Sequence, residues 1–318
     1  MTQIRKFIPI LSDYRQTVEI DKALFPEEDI TIDDWKWHDQ HHPPTAVFSR
    51  WVGEVDGKII SHGLITQDES ADNNNRYKLH ISVHPDFQGK GYGSELFQHL
   101  QRMLHPYLPC TIEATIRAGH PYACEFLNHR HFAPLSQLTF LRLNLPDHPA
   151  PLNLEAANNK IKKLGITIYS LKDFMAQTND WKMLLYKLER KLVADVPAIS
   201  IHFPHSLALY EENYLLQPWF NPESVFIASY QQHLIGISGI FQSLQKHNCY
   251  RHGFTGVEKP YRRNGLASLL ILNCIQYAVN HNIAHLESEV IAGNPIQKVY
   301  ENLGYKHQPL IVYESHVQ

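Results

Sequence analysis

The chain has 318 residues, with 29 Lys and Arg against 32 Asp and Glu, a formal net charge of −3 with neutral histidines. Its 43% hydrophobic and 19% charged content is ordinary for a globular protein with a core. The length favours one large or two medium domains. The charge balance argues against broad electrostatic binding, so no nucleic-acid partner is expected.

At the N-terminus, MTQIRKFIPILSDYRQ has only a short apolar stretch before Asp13, so a signal peptide is not expected. No apolar run approaches the ~20 residues of a membrane helix, and no membrane partner is expected. Cys110, Cys124, Cys249 and Cys274 form no CxxC pair, which fits free thiols and a cytoplasmic location. The cluster HDQHHPP (38–44) reads as a polar, proline-ended loop. No metal is expected, because nothing resembles HExxH or a paired Cys/His set.

Further along, WVGEVDGKIISHGL (51–64) reads as a two-strand hairpin, and the alternation of Leu79, Ile81 and Val83 as a strand. The stretch VHPDFQGKGYGSEL (83–96) follows, with Gly89, Gly91 and Gly93 at every second position. Leu96, Phe97, Leu100, Met103 and Leu104 then recur at helical spacing. A strand over 110–116 and a short helical pattern after His120-Pro121 complete the first half. Pro146, Pro149 and Pro151 open a linker over 146–163.

The second half repeats this order. VFIASYQQHLIGISGI (225–240) is a hairpin, 250–257 a strand, 267–280 a helix and 284–291 a strand. The register is kept. Val83 and Val257, Gln88 and Arg262, Gly91 and Gly265, and His120-Pro121 and Asn294-Pro295 all lie 174 positions apart. The chain is therefore read as a tandem duplication: a domain over 1–145, a linker over 146–163 and a domain over 164–318. Strands alternating with helices make each domain α/β, or mixed α+β.

Each duplicated turn stands after a strand and at the start of a helix. The first helical N–H groups are unpaired there, and the helix dipole favours an anion. A P-loop needs GxxxxGK followed by Ser or Thr, which is absent. A dinucleotide fingerprint needs GxGxxG, and the sequence has GxGxG, although Glu113 lies about 20 residues on. The duplicated element is Q/R-x-x-G-x-G/A.

That element resembles the acyl-CoA pyrophosphate loop of the GNAT N-acetyltransferase superfamily, and NPIQKVYENLGY (294–305) resembles its second motif. The resemblance spans nearly the whole chain as two copies, as in mycothiol synthase-like tandem proteins. LYKLERKLVADVP (185–197) is similar to the opening of their second domain. It implies two tandem GNAT-like domains, each a mixed, splayed central sheet flanked by helices, with acetyl-CoA as the acyl donor. It implies that backbone N–H groups of Gln88, Gly89, Lys90, Gly91, Tyr92, Gly93 and Ser94 hold the pyrophosphate. The matching set is Arg262, Arg263, Asn264, Gly265, Leu266, Ala267 and Ser268, with the two arginines adding charge. Ser82-Val83 and Gly256-Val257 would pair with the pantetheine amides, Asn294 would bond near it, and Tyr300 would protonate the departing thiolate.

The copies differ. Counting forward from the shared proline, the first-half counterpart of Tyr300 is Phe126; counting back from the closing aromatic, it is Leu127. Neither can donate a proton, so catalysis is expected in the C-terminal domain. The N-terminal domain is expected to bind CoA with a degenerate motif. Candidate bases are Glu287 and Glu289, which share a strand face at i, i+2, with His252 and Glu258 as alternatives. The expected partner is a small-molecule amine, and the expected state a monomer or homodimer. Two other readings stay open: a non-catalytic acyl-CoA sensor, and a tandem aminoacyl or peptidyl transferase.

Overall fold

The computed structural model describes residues 2–26, 28, 30–42, 46–67, 75–109, 111–118, 120–146, 154–196 and 203–316. Cys110 and residues 147–153 of the expected linker lie outside the described residues. The chain divides into two compact units. Unit 1 comprises residues 1–137, 244–247 and 310–318, and unit 2 residues 138–243 and 248–309. No described helix is long and apolar enough to cross a membrane.

The first half of the chain runs β1 (Gln3–Lys6), α1 (Leu11–Leu24), α2 (Ile32–His41), β2 (Phe48–Val55), β3 (Lys58–Gln67), β4 (Arg76–Val83), α3 (Tyr92–Leu104), β5 (Thr111–Arg117), α4 (Pro121–Asn128) and β6 (Ala133–Asn144). The second half runs α5 (Leu154–Lys162), β7 (Ile166–Ser170), α6 (Leu171–Met175), α7 (Trp181–Val193), α8 (Leu207–Tyr210), β8 (Val225–Tyr230), β9 (His233–Gln242), β10 (Cys249–His252), β11 (Gly256–Val257), α9 (Leu266–Asn280), β12 (His285–Ile291), α10 (Ile296–Asn302) and β13 (Lys306–His316).

Three sequence expectations change. The His-rich stretch is not a loop as far as His41: Thr31 and Asp34 form a capping box that starts α2. Residues 154–162 of the expected linker are helical, and Ile161 and Ala157 pack against Ile235 and Leu269. The strand expected over 250–257 is split, because β10 pairs with β12 and β9 whereas β11 pairs with β9 alone.

In unit 1 the strand order is β1-β2-β3-β4-β5-β13, antiparallel except for the parallel pair β4/β5. In unit 2 it is β7-β8-β9-β10-β12-β6, again antiparallel except for β10/β12. Each sheet is thus completed by a strand from the other half of the sequence. Residues 310–316 of β13 pair with β5, and residues 138–144 of β6 pair with β12. The hairpins β2/β3 and β8/β9 both turn through two residues with positive φ, Asp56-Gly57 and Gln231-Gln232, as type I′ geometry requires.

The core of unit 1 sets Leu96, Phe97 and Leu100 of α3 against Ile65, Tyr77 and Leu79, with Tyr313 of β13 included. In unit 2, α9 packs Ile271, Cys274 and Ile275 against Leu286, Leu141 and Leu143. Leu141 is fully buried. Its truncation to Ala is expected to cost ~2–5 kcal/mol. Hydrogen exchange should then speed up in α9 and β12, while α3 stays protected. Faster exchange in α3 instead would contradict the assignment of this strand to unit 2.

Candidate active site

The two parallel strand pairs hold together only briefly. β4 and β5 pair from Arg76/Thr111 to Lys78/Glu113, although β4 runs on to Val83 and β5 to Arg117. β10 and β12 pair from Cys249/His285 to Arg251/Glu287, and β12 continues to Ile291. Beyond these points the strands part, leaving a splay in each unit. His84 N–H donates to the Ile60 carbonyl and Glu258 N–H to Ile235, at 2.9 and 2.8 Å. Alternate residues bond across an antiparallel ladder, so the peptide groups of Val83 and Val257 face the splay.

The turns that follow are near-copies. Gly91 and Gly265 cap α3 and α9 in the left-handed region, with φ 89° and 85°. Two residues earlier Gly89 and Arg263 also have positive φ, 73° and 63°. Such alternation turns successive N–H groups inward into an anion-binding nest. Neither helix has a side-chain cap, and a Cβ added at Gly89, Gly91 or Gly265 would meet nothing within 4 Å. The space over the nest is open, which fits the pyrophosphate of an acyl-CoA. Arg263 accepts a cost of ~1–2 kcal/mol to hold a conformation that suits glycine.

Gln88 and Arg262 have a role that the sequence did not reveal. Gln88 Nε2 donates to the Val83 carbonyl at 3.0 Å, and Arg262 Nε to the Val257 carbonyl at 2.6 Å. Each side chain fastens the turn to the end of its strand. Arg262 Nη2 also bonds Asp195 at 2.7 Å, so its guanidinium is engaged within the protein. Lys90 Nζ donates to the Asp86 carbonyl, and Tyr92 lies beside Phe87. Leu266 is buried with Leu269 and Leu270, Ala267 packs at the edge of that cluster, and Asn264 and Arg263 are exposed. Ser268 is half-buried. Gly93 lies against Phe126 and Val83. Ser94 Oγ accepts from Arg130 Nη2 at 2.6 Å. That places a cation at the α3 turn, where sequence spacing had not drawn attention.

Asn294 Oδ1 accepts from Ile296 N–H at 3.1 Å and starts the turn into α10. Tyr300, one turn on, is 1% exposed. Its hydroxyl lies 3.4 Å from Thr255 Oγ1, and burial pushes its pKa up to about 12, against smaller lowering by Thr255 and Ser288. At the end of α4, Phe132 N–H donates to Leu127 O, just as Tyr305 N–H donates to Tyr300 O. The structural counterpart of Tyr300 is therefore Leu127. His131 carries the positive φ of Gly304. His252 donates to or accepts from the Tyr305 hydroxyl at 2.6 Å, and burial brings its pKa down to about 3.

Strand alternation separates the candidate bases from Tyr300. Ser288 and Thr255 face it, so Glu287 and Glu289 point to the other side of β12. Glu287 lies 3.9 Å from Arg142 Nε, and Glu289 lies 2.8 Å from Arg251. Glu258 bonds Lys191 at 2.6 Å. On the face opposite Tyr300, α7 crosses the splayed strand. A Cβ at Gly256 would stand 3.1 Å from Leu192 Cδ1, and Glu189 is on the same helix face at i−3. Glu189 accepts from the Tyr210 hydroxyl at 2.8 Å. It keeps partial solvent access while protein closes around it, and that desolvation pushes its pKa up to about 7. Nothing in the local sequence LYKLERK distinguishes this glutamate from a surface charge.

The acetyltransferase (GNAT) family model matches residues 14–132 and 195–305, more than half of the chain. No curated protein sequence matches the chain. Among solved structures, a GCN5-related N-acetyltransferase from Sphaerobacter thermophilus has a TM-score of 0.73 at 16% identity, covering 99% of this chain and 95% of that one. A tandem GNAT protein from the clavulanic acid biosynthesis pathway has a TM-score of 0.66 at 14% identity, over 99% and 98%. A glucosamine N-acetyltransferase region of a fungal multi-domain β-N-acetylglucosaminidase has 0.68 at 14%, over 99% of this chain and 38% of that one. At these identities the likeness speaks for the fold. With two matched segments, each built around an open nest at a splayed strand end, the chain belongs to the GNAT acetyltransferase family, whose donor is an acyl-CoA.

Proposed function

We propose that this protein is an acetyl-CoA-dependent N-acetyltransferase acting on the amine of a small molecule, with its catalytic step in unit 2. The observation that carries the reading is the placement of Tyr300 and Glu189 on opposite faces of the splayed strand end. When bound, the donor supplies an acyl group activated as a thioester. The N–H groups from Arg263 to Ser268 take the pyrophosphate, aided by the α9 dipole, whereas the Arg262 N–H is given to the Lys259 carbonyl. The Val257 N–H, turned into the splay, is a donor for a carbonyl oxygen on which negative charge develops.

Most amines are protonated at pH 7, so a proton must first be removed. Glu189 is suited to this, since a base works best with a pKa near the working pH. We favour it over Glu287 and Glu289, whose carboxylates lie beside arginines. Tyr300 keeps its proton at any working pH because burial raises its pKa, and its hydroxyl can pass that proton to a departing sulfur.

Tyr300→Phe is expected to lower turnover ~100-fold while coenzyme A affinity by calorimetry stays within error. Equal loss of both would point to a structural role. Because Glu189 must be deprotonated to act, kcat/KM should rise with pH up to about 7 and level off above it. Glu189→Gln should remove that limb and slow the reaction; an unchanged profile would exclude it as the base. Gly265→Ala should cost ~1 kcal/mol of stability and weaken coenzyme A binding roughly tenfold, by crowding the nest.

A further inference from the structure

Unit 1 groups three titratable side chains, Asp21, His62 and His80. Tyr77 and Leu79 of β4 pack toward α3, so Lys78, His80 and Ser82 point the other way, toward α1 and α2. There α1 brings Asp21 to His62 of β3, with His62 Nε2 2.8 Å from Asp21 Oδ1. Trp35 Nε1 of α2 donates to the other carboxylate oxygen at 2.8 Å. Asp21 and His62 are 3% and 1% exposed. With a carboxylate accepting at Nε2, the neutral ring carries its proton there and presents Nδ1 as a bare acceptor. That Nδ1 is buried and has no partner. His80 lies 5.8 Å away, ring to ring, and its Nε2 is 2.9 Å from Ser82 Oγ. Ser82 is buried and adjoins Val83, the residue that opens the splay.

A buried lone pair without a donor is costly unless something supplies one. His80 is exposed on this face, and desolvation, with a smaller push from the Arg50 cation, brings its pKa down to about 4, so its ring is neutral at pH 7. The partnerless Nδ1 of His62 and the neutral ring of His80, both beside a splayed strand, call for an N–H donor. A metal fits less well. The three side chains can each offer an atom within 4.8 Å of the others. The 2.8 Å contact between Asp21 and His62, however, is hydrogen-bond spacing, whereas ligands on one tetrahedral zinc stand about 3.3 Å apart.

We propose that Asp21, His62 and His80 form a second acceptor site, which binds a primary amine, takes its proton and makes unit 1 an acyl-transfer centre of its own. The ammonium first releases one proton to solvent; the neutral amine nitrogen then bonds to the acyl carbon of an acyl-CoA thioester and gives a second proton to a histidine nitrogen. The carbon–sulfur bond breaks, and the histidine proton passes to the departing sulfur. Histidine acting in both directions replaces the hydroxyl that Leu127 lacks. Asp21 is a positioning residue that fixes the His62 tautomer. The proposal shares with the unit 2 reading only its donor.

The test uses the full chain with unit 2 disabled by Tyr300→Phe and Glu189→Gln. Coenzyme A release from acetyl-CoA is followed across small amines, amino acids and aminoglycosides. Release should persist and fall at least tenfold on adding His80→Phe, which installs the residue found at Phe254 in unit 2, or the smaller His80→Asn. Residual release that ignores both substitutions would overturn the proposal, as would its absence from a chain whose wild type is active. Release abolished by His80→Phe yet untouched by the unit 2 changes would sink the unit 2 assignment and leave this one standing. If no acceptor in the panel reacts, 15N spectra of labelled histidines decide. His62 should show a bare Nδ1, and propylamine should shift His62 and His80. A protonated Nδ1, no response to propylamine, or zinc coordination by both rings would each refute the site.

Discussion

Two parallel strands that pair through three residues and then part create the geometry on which everything functional depends. Parting leaves the peptide groups of Val83 and Val257 without a neighbouring strand. The separation is held by two devices on each copy. A side chain five residues on, Gln88 or Arg262, bonds back to the strand-end carbonyl. A left-handed residue then throws the chain into a helix whose first N–H groups face outward. Were the strands to remain paired, the nest would have no cavity to face.

On this common frame the units carry different proton chemistry, and burial decides it. In unit 2 a tyrosine is kept protonated and a glutamate is raised toward neutrality, because both are desolvated without a compensating charge. In unit 1 the tyrosine position is Leu127, and the opposite face bears the imidazoles of His62 and His80 where unit 2 has the hydrocarbon of Ile237 and Phe254. Asp21 stays ionised, its pKa held down by His62 and Trp35 against the pull of burial.

Much of the frame was legible in the sequence because it is local. Glycine spacing, strand alternation and helical periodicity each occupy a few residues, and their recurrence at a fixed offset disclosed the duplication. The family signature lay in the same short stretches. Strand partners were not legible. β6 and β13 have similar patterns, and alternation tells which face is apolar but not which neighbour accepts the ladder. Glu189 was also hidden, since its raised pKa comes from the desolvating walls around it, against a smaller lowering by the Tyr210 hydroxyl, and Asp21, His62 and His80 are scattered in the chain. The His-rich segment misled because histidine is a poor helix former, whereas the Thr31 capping box and contacts such as Trp35 with Asp21 override that preference.

The exchanged strands have a consequence for biosynthesis. As the polypeptide leaves the ribosome, β5 emerges with the rest of the first sheet, but its outer neighbour β13 is encoded far downstream. Until β13 is made, the row of N–H and C=O groups along β5 stays uncovered, a template for pairing with another nascent chain. β6, the near-copy of β13, appears directly after α4 and is the obvious wrong partner. Unit 2, whose sheet needs β6, can claim that strand as soon as β12 has been translated. Maturation would then run against the usual order of synthesis, with the second unit completed first and the first unit closed by residues made last of those it needs.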